Sequence, residues 1–234
     1  MDFDFLLDTL SRLLAALPVT LALFLLAIAF GGVIALGLTW MRFSGVKYLE
    51  KFSSGYVLVF RGTPLLIQLF LLYYGMGQFD FVRDSVFWPI IREPFGCAVL
   101  SLGLCTAGYT TEIFRGGVLA VPANQLEAAR AMGMSGWLLF RRVIAPVALR
   151  HALPAYSTEI VLMVKGTALA SLVTVMEMTG VAQRIIAHTY RTTEVFLCAA
   201  AIYLLLNFLI VRAIALLEYS LTPYRRPMSS PIAN

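Results

Sequence analysis

Three charged side chains sit where a chain of this composition can least accommodate them. Glu112 falls near the end of one long apolar run, and Glu159 and Lys165 fall within another. Charges inside such runs are costly, and they usually face a bundle interior or a water-filled cavity where each meets a partner or a ligand. The six residues from Glu159 to Lys165 turn an α-helix by about 600°, about 240° net, so these two cannot pair along it. Glu159 instead shares a stripe with Met163, Gly166 and Ala170, while Lys165 lies with Thr158, Leu162 and Leu169. A second run carries a small and polar stripe of Ser101, Cys105, Gly108, Tyr109 and Glu112. Inward-facing stripes of this kind suit a path for a polar solute, so Glu159, Met163, Lys165, Tyr109, Glu112 and Gln68 are the candidate path residues. The structural alternative stands beside this. Glu159 could be locked in an ion pair between subunits, Lys165 could snorkel or hold a helix carbonyl, and Glu112 could sit with Arg115 at the headgroup level. Arg61 is read as a structural residue at the kinked start of its span.

Other chemistries find little support. His151 and His188 stand alone, so no zinc motif can be assembled. Cys97, Cys105 and Cys198 lack C-x-x-C spacing and lie in apolar runs, where they act as small packing residues. No G-x-x-x-x-G-K-[ST] loop is present to cradle ATP phosphates. No catalytic or metal-binding residue is expected. The formal net charge of +5 fits Lys and Arg gathered in cytoplasmic loops better than a nucleic-acid surface.

The elements that must position these residues are membrane helices. Of 234 residues, 60% are hydrophobic and only 13% charged, against about 25% charged in an ordinary soluble domain. Runs of about 20 apolar residues cross a bilayer. Five are legible, at about 17–41, 56–77, 96–115, 152–175 and 195–217. Pro18 and Pro64 bend or start their spans. Ala27, Gly31 and Ala35 stack on one face of the first span, and Gly166 and Ala170 do so in the fourth, as in close helix packing. The loops after spans one and three and the C-terminal tail carry nine Lys and Arg, and the opposite set carries five. The expectation is an all-α membrane protein with its N-terminus outside and its C-terminus in the cytoplasm.

A water-compatible segment at about 116–150 interrupts the fold between spans three and four. Pro122 breaks the chain, Asn124 is placed to cap a helix, and Glu127 follows at capping-box spacing. A short helix over about 125–132 should end at Gly133 in a left-handed conformation. Ser135 should cap a second short helix ending before Pro146. The pair reads either as interfacial helices with Arg141 and Arg142 on headgroups or as a docking surface for another protein.

The segment also resembles a known motif. Glu127-Ala128-Ala129, then Gly133, Val143 and Ala145-Pro146, is similar to the EAA loop of bacterial ABC-importer permeases, with Ala145 where an aliphatic residue is usual. FRGTPLLIQLFLLYYG (60–75), YTTEIFRGG (109–117) and ALPAYSTEIVLMVKGTALAS (152–171) resemble polar-amino-acid permeases, most of all the M-type subunits of histidine, basic-amino-acid and opine systems. The resemblance implies five spans with the N-terminus periplasmic, in a multi-pass subunit of the bacterial inner membrane. Residues 1–16 would be a periplasmic segment, 17–217 the transmembrane domain, and 218–234 a cytoplasmic tail. Glu127, Ala128, Ala129 and Gly133 would form the coupling helix that docks in an ATPase. The implied partners are a second, similar but different permease chain, two cytoplasmic ATPases that bind Mg-ATP, a periplasmic binding protein and the lipid bilayer. No cofactor is expected in this chain. The implied substrate is a polar amino acid, basic by this resemblance, or an opine. The rivals are a self-sufficient ion-coupled carrier or channel, in which Glu159 and Lys165 serve ion coupling, and a structural subunit with dry, packed polar stripes.

Overall fold

In a computed structural model that describes residues 3–221, those residues form helices joined by short turns, and one helix organises the rest. Helix α1 (Phe3–Arg42) is 40 residues long, with Asp4 in its first turn and Arg42 in its last, each favourable to the helix dipole. Its buried residues include Leu13, Thr20, Leu23, Ala27, Gly31, Ala35 and Leu38, the three-and-four spacing of one packed face. That face enters all three apolar clusters of the core. Leu13 packs with Met178, Ile185 and Val195, Leu23 with Leu69 and Val173, and Ala27 with Leu102 and Met163. The helix therefore begins well before the span expected at 17–41, and the segment 1–16 is helical from Phe3 onwards, because Leu13 and its neighbours have a buried surface to cover.

Helix α6 (Pro94–Leu119) lies at the centre, against α1, α2, α3 and α9. Pro94 starts it, where a missing N–H costs nothing. The approach of α1 to α6 is as close as side chains permit. A Cβ at Gly31 would stand 2.2 Å from Thr106 Cγ2 and 2.6 Å from the Gly103 carbonyl oxygen. Without a strong hydrophobic drive between helices in lipid, such close contact supplies the packing energy.

The expected second span is two helices. Helix α2 (Lys47–Gly62) and helix α3 (Leu65–Phe70), which continues through a π turn and a 3-10 turn to Gln78, meet at a bend of 103°. Proline pushes the residue before it out of the helical region, and Thr63 is extended (φ −111°, ψ 141°) ahead of Pro64. Two short helices, α4 (Asp80–Arg83) and α5 (Trp88–Ile91), lead into α6.

The loop between α6 and the next span departs from expectation in its caps. Helix α7 (Ala123–Ala131) starts two residues earlier than a cap at Asn124 would allow. Pro122 occupies the cap with extended backbone, its carbonyl accepts from the Gln125 amide at 3.1 Å, and no side chain caps the helix. Asn124 and Glu127 therefore form no capping box. The C-terminus follows expectation: Gly133 has φ +80°, its amide donates to Arg130, and the Met134 amide donates to Ala129. This reciprocal pair is a Schellman motif. Ser135 sits at the cap of α8 (Gly136–Leu139) without a side-chain bond. The second helix does not stop before Pro146. A π turn over Phe140–Ile144 widens the ladder and runs straight into α9 (Ala145–Gly166), so the proline falls in a first turn where no amide is needed. A 3-10 segment (Thr167–Val173), α10 (Met178–Thr189) and α11 (Thr192–Leu221) complete the fold. Among the described residues, four helical stretches are long and apolar enough to cross a membrane, and the bent α2–α3 pair is the fifth candidate.

Candidate functional site: a cavity at the broken helix

The bend between α2 and α3 leaves a cavity of about 440 Å³ against α6 and α9. Arg61 and Pro64 line it from the bend, Cys105 and Tyr109 from α6, and Glu159 and Met163 from α9. The space exists because α2 ends where it does. Gln68 staples the break, its Nε2 donating to the Phe60 carbonyl, the Thr63 carbonyl and Thr63 Oγ1 at 2.9–3.0 Å. Thr63 closes the last turn through its amide and hydroxyl, both donating to the Val59 carbonyl.

Two opposite charges face the cavity and neither is saturated. Glu159 is buried, and the Thr106 hydroxyl donates to its Oε1 at 2.5 Å. No other hydrogen bond to this carboxylate occurs among the described residues. A carboxylate offers about four acceptor positions, so most of its capacity is unused. The Arg61 guanidinium lies 5.1 Å from the centroid of the Tyr109 ring, a cation–π contact, and makes no hydrogen bond or ion pair among the described residues. Arg61 and Glu159 line the same cavity.

A second buried carboxylate provides the contrast. Glu177, fully buried, accepts from the Gly180 amide at 2.9 Å, from Tyr203 OH at 3.0 Å and from Thr20 Oγ1 at 3.5 Å. It caps α10 and ties it to α1 and α11. Its capacity is filled by the protein, as that of a structural buried acid should be.

The structure thus brings Glu159, Tyr109 and Met163 together in one cavity. It places Gln68 behind the bend. Glu112 lies in an ion-pair cluster, with Arg42 Nη2 at 2.8 Å on one oxygen and Arg115 Nη2 at 2.7 Å on the other; Arg42 Nη1 also donates to Ser54 Oγ at 2.5 Å. That cluster joins the ends of α1 and α6 to α2. Lys165 is exposed on the other stripe of α9, outside the cavity lining. Arg61, read from the sequence as structural, lines the cavity instead. Thr106 and Glu177 carried no signal, because their roles depend on pairing between helices distant in sequence.

A partly polar cavity lined by a bent span and two of the four long apolar helices is the arrangement of a polytopic membrane protein with a place for a polar solute. The model of binding-protein-dependent transport system inner membrane components matches residues 27–222. The chain belongs to that family: it is a permease subunit of an ABC transporter, non-catalytic itself, in a family whose members work with a second permease subunit, ATPase subunits and a substrate-binding protein. It is 51% identical over 234 residues to the octopine transport system permease protein OccM of Rhizobium meliloti, covering 99% of this chain and 96% of that one. It is 39% identical over 213 residues to the histidine/lysine/arginine/ornithine transport system permease protein HisM of Escherichia coli K12, covering 91% and 90%. The crystal structure of an amino acid ABC transporter with histidines superposes with a TM-score of 0.83 at 32% identity, covering 94% of this chain and 99% of that one.

Proposed function

We propose that this subunit sits in the bacterial inner membrane, N-terminus outside, and imports a basic amino acid or an opine through the cavity at the α2–α3 bend. The observation that carries this is the incomplete satisfaction of Glu159 beside an unpaired Arg61. One group offers acceptors and the other donors, within a cavity of the size used for small ligands. An amino acid presents the complementary pair: its ammonium or basic side chain to Glu159 and its carboxylate to Arg61. Met163 packs against the apolar part of the solute, and Tyr109 holds Arg61 in place. Gln68 and Glu112 hold the walls, and Lys165 faces outward from α9. The names of OccM and HisM, which specify octopine and cationic amino acids, support this choice of substrate class.

Binding alone moves nothing. Glu127, Ala128, Ala129 and Gly133 on α7 are the contact to a cytoplasmic ATPase, and Mg-ATP is bound there, not in this chain. ATP-driven closure of two ATPases draws the α7 helices of a permease pair together and opens the cavity outward to the binding protein. The pair is a heteromer, with a similar but different chain opposite.

The test is uptake by the reconstituted complex across a panel of amino acids and opines, with wild type and Glu159→Gln. The variant keeps shape and loses charge. Assembly and basal ATP hydrolysis should persist, and substrate-stimulated hydrolysis and uptake of cationic solutes should fall by about tenfold or more, the cost of one unpaired charge-assisted hydrogen bond. Unchanged uptake in a well-assembled variant would overturn the assignment.

A further inference from the structure

A second feature, on the outer face of the bundle, has the chemistry of a lipid site and goes beyond the transport reading. The ends of α1 and α6 and the start of α9 enclose an open slot of about 510 Å³. Its walls are apolar, with Trp40, Phe43, Phe114 and Ile144 among them. Thr39 is the one polar residue lining it, and its hydroxyl already donates to the Ala35 carbonyl at 2.7 Å. The slot offers a polar solute nothing, but it can take a hydrocarbon chain. A neighbouring hollow of about 390 Å³ shares Phe140, Ala145 and Leu149 with it and is rimmed by Trp137, Arg141 and Arg150. Trp137 is 71% exposed and stacks on Phe140 at 5.4 Å, the pose of an interfacial tryptophan. Arg141 is exposed and makes no hydrogen bond or ion pair among the described residues. An apolar slot therefore adjoins, across Phe140, Ala145 and Leu149, a hollow with a cationic rim at the level of an interfacial aromatic.

We infer that an anionic phospholipid docks here, one acyl chain in the slot between α1, α6 and α9 and its phosphate on Arg141. Charge complementarity selects this occupant. A zwitterionic lipid would fill the slot as well but would gain less from the rim. The π turn at Phe140–Ile144 sets the register that places Phe140 and Ile144 in the slot and Arg141 at its mouth.

The chain carries its own reporters. Of its three tryptophans, Trp40 and Trp137 line the two hollows and Trp88 lies on α5, near the opposite end of α6. The permease complex is reconstituted in vesicles containing phosphatidylglycerol or phosphatidylcholine brominated in the acyl chain. Quenching is measured against a Trp40→Phe/Trp137→Phe complex, which supplies the background from the partner chains. Brominated phosphatidylglycerol should quench with an apparent affinity about fivefold above phosphatidylcholine, the worth of one engaged arginine. Arg141→Ala should bring the two lipids close to parity. Ala145→Phe, which narrows the slot, should lower quenching of Trp40 by both. Equal quenching by both lipids in the wild type would mean ordinary annular lipid and would overturn the proposal. So would quenching by neither, which would mean that protein, such as the second permease chain, covers the slot. A preference that survives Arg141→Ala would remove the assigned anchor.

Discussion

At the scale of single residues, the two buried acids differ in what is left over. Glu177 receives three donors from the protein, and Glu159 receives one. The sequence makes Glu159 conspicuous because it interrupts a helical stripe. It gives no means of ranking the acids, since donors such as Thr106 and Tyr203 lie 53 and 26 positions away from the acids they serve. Gln68 shows the opposite balance. A polar residue in an apolar run invites a role in the path, and its Nε2 holds three acceptors across the bend while its buried Oε1 has no partner among the described residues. Gln68→Leu should leave the Thr63 carbonyl unsatisfied and the Phe60 carbonyl with only the Cys105 thiol at 4.0 Å, and cost about 1–3 kcal/mol. Thermal unfolding of the purified complex should report a lower midpoint. A variant with wild-type stability and only a changed KM for substrate would instead make Gln68 a contact residue.

At the scale of elements, the long spans and their helical type were legible because apolar length is a strong signal, whereas their breaks and the short helices α4, α5 and α10 between them were not. Pro64 announced a disturbance without saying that the chain turns through 103°. Pro146 was read as a stop, but a π turn placed it harmlessly in a first turn. The end of α7 was legible in full, because a glycine with φ +80° is required by the Schellman geometry itself. That requirement gives a clean prediction. A Cβ at Gly133 would meet nothing within 4 Å, so any penalty comes from the backbone and none from a clash. Gly133→Val should cost about 1–2 kcal/mol of local strain and misdirect α8, whereas Gly133→Asn, which tolerates the left-handed region, should be mild. Substrate-stimulated ATP hydrolysis in the assembled complex should fall for Val and hold for Asn. Equal coupling in both would show that the turn does not orient the docking helix.

At the scale of the whole molecule, α1 and α6 are one packing decision. The small residues at 27, 31 and 35 signalled close approach, but not that Gly31 would lie against Thr106, the residue that holds Glu159. Gly31→Leu must push the two helices apart at a point where α1 serves three core clusters, and overpacking of this kind costs about 1–3 kcal/mol or more. Gly32, one residue on, faces open space, so Gly32→Leu should be accepted. Size-exclusion profiles of the solubilised complex should show loss of the assembled peak for the first and not for the second; equal profiles would mean that the close contact is dispensable.

Helix α1 also has a mechanical consequence. Forty residues make a rod of about 60 Å, roughly twice the hydrocarbon thickness of a bilayer. Tilting alone, within the usual range up to about 40°, cannot hide that length, so part of the rod stands clear of the lipid tails. Pro18 is the single internal proline, and beyond it the helix is uninterrupted to Arg42. Such a rod is a lever. A rocking of about 5° about its N-terminal end sweeps the far end through about 5 Å, near one helical pitch. The far end is Arg42, joined at 2.8 Å to Glu112 of the helix packed along it, so a small rotation on one side of the membrane would carry that ion pair with it and move the α1–α6 end on the other.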